Sequence, residues 1–251
     1  MYIACSTLCF GRVGLEQALR TIHEMHFQKV DLAIHERGAH LKPSDVAADV
    51  NRQANLLRAS GMSFAAFHLE IDAPDAERYR EQMRSVCRLA RLLSVPVVNI
   101  AAALAGSDFD AEVQRLTGLN RLAESEGVIL TVETNRETLT ADPAGAAELC
   151  RRVSGLGLTL DPSHYLVGPH PHPDHEELYE FVRHVRLRDT AADRLQVCVG
   201  QGQVEYGKIV SLLEREHYDR ALSVDIRDTP EVDYPLEPEV RKLKYLLESM
   251  V

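Results

Sequence analysis

The chain has 251 residues, 45% of them apolar and 26% charged, enough for one substantial core and close to the roughly 250 residues of a one-domain α/β barrel. Its formal net charge of −10 opposes binding to a phosphate backbone, and its basic residues are scattered along predicted helices apart from the segment RHVRLRD. No stretch approaches the roughly 18 apolar residues of a membrane span, the opening MYIACSTLCFGR lacks a basic leader, and five scattered cysteines fit a reducing compartment. A cytoplasmic protein that handles a small polar molecule is expected, with no nucleic-acid or membrane partner.

Short β-rich runs alternate with longer amphipathic runs along the whole chain. Strand 1 is predicted at 2–7 and its helix at 14–26; strand 2 at 29–34 and its helix at 43–61, with Ser44 as a candidate cap and Gly61 past the end. Strand 3 follows at 63–69 and a long helix at 75–93, where Tyr79, Met83, Val86, Leu89, Ala90 and Leu93 keep helical spacing. Strand 4 is predicted at 95–103, a helix at 108–127, and strand 5 at 128–135. A helix at 142–155 opens on an acid and a proline. Strand 6 at 156–164, a short helix at 174–182, strand 7 at 183–189, a helix at 205–217, strand 8 at 221–228 and a closing helix at 237–250 complete the order. Eight such units predict a single (β/α)8 barrel spanning 1–251. The rival, a doubly wound open sheet, lacks support, because the first turn, LCFGRVG, does not have the glycine spacing of a nucleotide-binding loop.

In a barrel of this kind, functional groups lie at the C-terminal ends of the strands. Three acids close or nearly close three late strands: Glu133 in VILTVETN, Asp161 in LTLDPSH and Asp225 in ALSVDIRD. Acids gathered in a partly buried site need a divalent cation, an arginine or shared protons. Other polar residues occupy equivalent positions: His35, Glu36, His68, Glu70, Asn99, Asn135, His164 and Arg227. On strand 7 the period-two spacing puts His184, Arg186 and Arg188 on one face and turns Val185 and Leu187 towards the helices. Singly, each acid reads as a helix cap or a surface ion pair. Their recurrence at matching places points instead to a functional cluster. The loop histidines, His40, His170, His172 and His175 among them, read as solvated.

At these motifs, VETN, LTLDPSH, RHVRLRD, GQGQVEY and LSVDIRD in that order, the chain resembles the sugar phosphate isomerase/epimerase family, the xylose isomerase-like TIM barrels. The resemblance implies a divalent metal (Mn, Mg, Co or Zn) held by residues from strands 5 to 8. By position it places Glu133, Asp161 and Asp225 as ligands, with His164 contacting substrate or a further metal. Two positions depart from the family pattern. Arg186 stands where a metal-binding histidine is expected, and Asp225 stands where a glutamate is expected. A guanidinium stays protonated and has no lone pair for a metal. Arg186 therefore either replaces the cation's charge or leaves His164 or His184 to complete a shifted site.

The implied activity is isomerisation or epimerisation of a small sugar, keto-sugar or polyol through proton removal next to a carbonyl. Glu133 and Asp225 are the expected acid/base pair, with a metal or Arg186 stabilising the enediolate. His68, His164, Arg186, Arg188 and Asn135 are expected to bind the substrate, a sugar or keto acid. A dehydratase shares the first step. The alternative is a non-catalytic or metal-free relative that binds a sugar or small acid. An endonuclease-like role is disfavoured by the net charge. Relatives of this kind are commonly homodimers or homotetramers.

Overall fold

The computed structural model describes residues 1–168, 171–172, 174–230 and 232–251; His170 lies outside them. The strands are β1 (Tyr2–Ser6), β2 (Lys29–His35), β3 (Ser63–Glu70), β4 (Val97–Ile100), β5 (Ile129–Glu133), β6 (Gly157–Leu160), β7 (Val182–Leu187), β8 (Asp189–Ala191), β9 (Arg194–Val197) and β10 (Ala221–Val224). Eight of them close into a parallel barrel in the order β1-β10-β7-β6-β5-β4-β3-β2, which is the predicted (β/α)8 architecture. The other two, β8 and β9, form an antiparallel hairpin over the C-terminal end of β7 that the sequence pattern did not announce.

The helices are α1 (Leu15–Glu24), α2 (Pro43–Ala48), α3 (Val50–Ala59), α4 (Ala76–Leu92), α5 (Phe109–Ser125), α6 (Pro143–Arg152), α7 (Ser163–Leu166), α8 (Tyr206–Arg215) and α9 (Leu236–Glu248). None of the described helices is long and apolar enough to cross a membrane. The predicted helix over 43–61 is two helices. Asp49 is extended, at φ −158°, and its carboxylate accepts from Arg52 N–H at 2.9 Å, capping α3. An aspartate inside an otherwise periodic run is a competing cap, and here the cap wins. Ser44 does not cap α2; its hydroxyl donates to Glu36 Oε1 at 2.6 Å. The predicted helix at 174–182 is a 3-10 turn, Glu176–Phe181. Gly61 and Gly127 close α3 and α5 at φ +70° and +71°, which is where glycine ends a helix at no steric cost.

Strand alternation sorts the two faces of the barrel wall. Val185 and Leu187, with Leu158, Leu160, Leu130 and Val132, are fully buried in the apolar layer between strands and helices. Their inward neighbours are polar. Paired registers put Ser6 beside Asp31, Arg186 beside Ser223, His184 beside Thr159, and Asn99 between His68 and Thr131. All of these are buried. The barrel lumen therefore holds charge and hydrogen bonds where aliphatic layers are usual.

Asp189 explains the GQG segment. Its Oδ1 accepts from Thr190 N–H at 3.0 Å, and its Oδ2 accepts from Gly200 N–H at 2.7 Å and Gly202 N–H at 3.0 Å. A Cβ at Gly202 would lie 2.1 Å from Asp189 Oδ1, so only glycine brings the loop this close. Asp189→Ala should strand these amide donors and destabilise the fold by about 3 kcal/mol, read as a lower urea midpoint. An unchanged midpoint would show that the clasp is dispensable.

Candidate active site

β7 and the residue that follows it carry the cationic side of the site, because their period-two face projects His184, Arg186 and Arg188 inward, where all are buried. Arg186 lies at the centre. Its Nε donates to Asp31 Oδ2 at 2.9 Å, and its Nη1 donates to Glu133 Oε1 at 3.2 Å and to His68 Nδ1 at 2.9 Å. Asp225 Oδ2 lies 3.8 Å from the same Nη1. Arg188 pairs with Asp161 and reaches Asp225 Oδ2 at 3.3 Å. Arg227, two residues beyond Asp225, donates from Nε to Asp225 at 3.2 Å and from Nη2 to Glu133 at 3.4 Å. The three acids expected to converge do so, around guanidinium groups.

Neighbouring charges outweigh burial at the acids. Burial alone would raise the Glu133 pKa, but His68 and Arg186 beside it hold the carboxyl well below its usual range. Asp225 is likewise pushed up by burial and pulled further down by Arg186, Arg227 and Arg188. Asp31 follows the same pattern, with Arg186 and His184 outweighing burial. For Arg186, burial opposes the charge, yet Asp225, Asp31 and Glu133 raise its pKa well above the ordinary value. His35 is pushed down to about 2 by burial, with His68 and Arg186 adding to the effect, and burial also lowers His164. Because Arg186 Nη1 can only donate, His68 Nδ1 must accept. That leaves Nε2 as the nitrogen that faces Glu133 Oε2, at 3.4 Å.

Of the other expected residues, His164 is buried at the mouth with Nε2 3.7 Å from Asp161 Oδ2. Asp161 Oδ1 accepts from the Ser163 amide at 3.1 Å and from its hydroxyl. Asn135 is held in its loop, where its Oδ1 accepts from Glu137 N–H at 2.9 Å. Asp31 was not singled out in the sequence. Its signal was an acid inside the apolar run KVDLAI, in period-two step with His35. A cleft of about 540 Å³ opens beside the mouth at the ends of β2 to β4, lined in part by Glu36, Glu70, Tyr79 and Leu104.

The donor set for a cation can be read from the same contacts. His35, His68 and Glu70 place one donor atom each within 4.8 Å of one another, a grouping that can hold a metal ion. With Arg186 in place, however, both nitrogens of His68 are engaged, so that group would accept an ion only if Arg186 released His68. At the position implied by strands 5 to 8, Glu133, Asp161 and Asp225 already share three guanidinium groups, and Arg186 has no lone pair to offer. These residues do not fit a divalent ion there.

A closed parallel barrel with a charged cluster at its C-terminal mouth defines a single-domain (β/α)8-barrel protein. The sequence profile of xylose isomerase-like TIM barrels matches residues 19–248, and the chain belongs to that family. No curated protein matches the chain. Among solved structures, it is similar to a xylose isomerase-like TIM barrel protein from Mycobacterium smegmatis in complex with magnesium, at 17% identity and TM-score 0.79, covering 99% of this chain and 96% of that one. It is also similar to a D-tagatose 3-epimerase-like protein, at 17% identity and TM-score 0.75, covering 100% and 97%. A third is the probable 3-DHS dehydratase involved in petrobactin synthesis from Bacillus anthracis, at 17% identity and TM-score 0.72, covering 97% and 98%. At these identities the likeness is one of fold.

Removing the central cation should be severe. Arg186→Ala leaves Asp31 and Glu133 buried without their shared partner and should cost about 3–5 kcal/mol in urea unfolding. The pH dependence follows from the depressed acids. Their contribution is complete above the unfolded carboxylate range, about pH 4, and is lost as pH falls towards the lower folded values. Asp31→Asn should therefore flatten the decline of stability below about pH 4. An unaltered slope would remove Asp31 from the network's energetics.

Proposed function

We propose that this chain is an isomerase/epimerase-type enzyme that enolises a small keto-sugar or related polyol, using guanidinium charge where relatives use a metal. The observation that carries the reading is the convergence of Glu133, Asp225 and Asp161 on Arg186 and Arg188 at the barrel mouth. The likeness to epimerase and dehydratase structures supports the same class.

In this reading, Glu133 removes the proton next to the substrate carbonyl. The C–H electron pair becomes the carbon–carbon double bond of an enediolate, and negative charge moves onto the carbonyl oxygen. Guanidinium N–H groups stabilise that oxygen. The proton returns from Glu133 itself or, on the opposite face, from Asp225 after a solvent proton has reached it and Glu133 has passed its own proton to solvent. The depressed carboxyls stay in their basic form through the neutral range, although each is a weak base. Stabilising the enediolate makes up part of that weakness by acidifying the carbon. His164, Arg188 and Asn135 hold substrate oxygens, and His68 joins them by exchanging its contact to Arg186 or Glu133 for one to substrate. Expulsion of a hydroxyl from the same intermediate would make the enzyme a dehydratase.

One observation favours a second reading. Each acid already has a cationic partner, as expected of a protein that binds a sugar or small acid without turnover.

Proton exchange from 2-ketohexoses and 2-ketopentoses into deuterated water separates the two. The enzyme reading expects exchange that survives chelator and falls about 10²–10⁴-fold in Glu133→Gln. Absence of exchange across the panel would leave the binding reading. Arg186→His should lose exchange and gain affinity for manganese or zinc in calorimetry. No gain would show that Arg186 does not occupy the cation's position.

A further inference from the structure

Of the three arginines in the network, Arg227 has the most exposed side chain, at 30% against 0% for Arg186 and 2% for Arg188. Its main chain is fixed from both sides by one side chain. Gln196 on β9 accepts from Arg227 N–H at 2.7 Å through Oε1 and donates through Nε2 to Arg227 O at 3.0 Å. The guanidinium itself is held less closely, by contacts of 3.2 Å to Asp225 and 3.4 Å to Glu133. Both acids keep another guanidinium partner without it: Arg186 on Glu133 and Arg188 on Asp225. Arg227 therefore has a pinned backbone, a partly exposed side chain and contacts that the network can lose. It also lies across Glu133 and Asp225, the pair proposed above for proton transfer, whose side chains are 5% and 0% exposed.

We propose that Arg227 is a substrate-contacting catalytic residue that leaves Glu133 and Asp225 to hold the developing oxyanion of the substrate, uncovering the two carboxylates as it turns. This rests on the enolisation reading and deepens it. The ligand class is a small molecule with a planar, bidentate oxygen pair that carries negative charge in the transition state. A guanidinium fork matches that geometry, while an ammonium matches only its charge. The contact forms as charge develops on the carbonyl oxygen, so it acts on the transition state more than on the bound ketose. The hairpin β8–β9 supplies the pincer residue and so belongs to the working parts of the site.

The test uses the intact protein and glycolohydroxamate, a planar analogue of an enediolate, with affinity read by calorimetry and ketose exchange read in parallel. Wild type should bind the hydroxamate. Arg227→Gln should weaken binding about 30–100-fold, the loss expected for a charge-assisted pair of hydrogen bonds. Arg227→Lys should recover only part of it. Gln196→Ala should weaken binding several-fold with Arg227 still present. Binding in Arg227→Gln within twofold of wild type, or no binding by wild type, would overturn the proposal. If wild type shows no ketose exchange but Arg227-dependent hydroxamate binding, the enolisation reading fails and takes the catalytic role with it, and Arg227 stands as a ligand contact only. If exchange is present and unaffected by Arg227→Gln, the assignment fails and the enolisation reading stands. A thermal midpoint measured on each variant separates a folding defect from a binding one.

Discussion

The site depends on one buried cation. Arg186 is fully enclosed, with Asp31 on one edge, Glu133 and His68 on another and Asp225 nearby. Taking a guanidinium and several carboxylates out of water costs several kcal/mol for each ion, and mutual attraction balances this only when hydrogen-bond geometry is good. The balance here is local and incomplete. Asp31, Glu133, Asp161 and Asp225 face Arg186, Arg188 and Arg227, leaving one more acid than cation in the cluster. Such a cluster is a poor source of stability in itself and is better explained by what it does at the mouth.

The same charges explain why the apolar core lies where it does. Strands of a parallel sheet buried on both faces usually read as continuous apolar runs. Here they alternate, with leucine and valine facing the helices and polar residues facing the lumen. Nearly all apolar packing therefore lies between the strands and the helical shell. The lumen is held instead by directed contacts, such as the Thr131 and Thr159 hydroxyls at 2.8 Å and the His184–Asp31 pair at 2.9 Å.

That alternation made much of the chain legible. The inward face of β7 could be read from RHVRLRD because a histidine and two arginines at alternate positions, 184, 186 and 188, flank apolar Val185 and Leu187. The convergence of Glu133, Asp161 and Asp225 followed from their equivalent places on successive strands. Other features left no comparable trace. Asp31 was passed over within KVDLAI, because its partners lie more than 150 positions away. The break at Asp49 was hidden because α2 and α3 keep a common helical period across it. The hairpin β8–β9 is short and polar, and its course depends on Asp189 reaching Gly200 and Gly202.

On the far side of the mouth, the loops after β4 and β5 are stitched together. Leu104 bridges Thr138, Ala105 N–H donates to Glu137 O at 2.8 Å, and Leu139 N–H donates to Ala103 O at 2.8 Å. Two connections joined in this way move as one stiff lip. A displacement of either connection is therefore shared by the other through these backbone bonds.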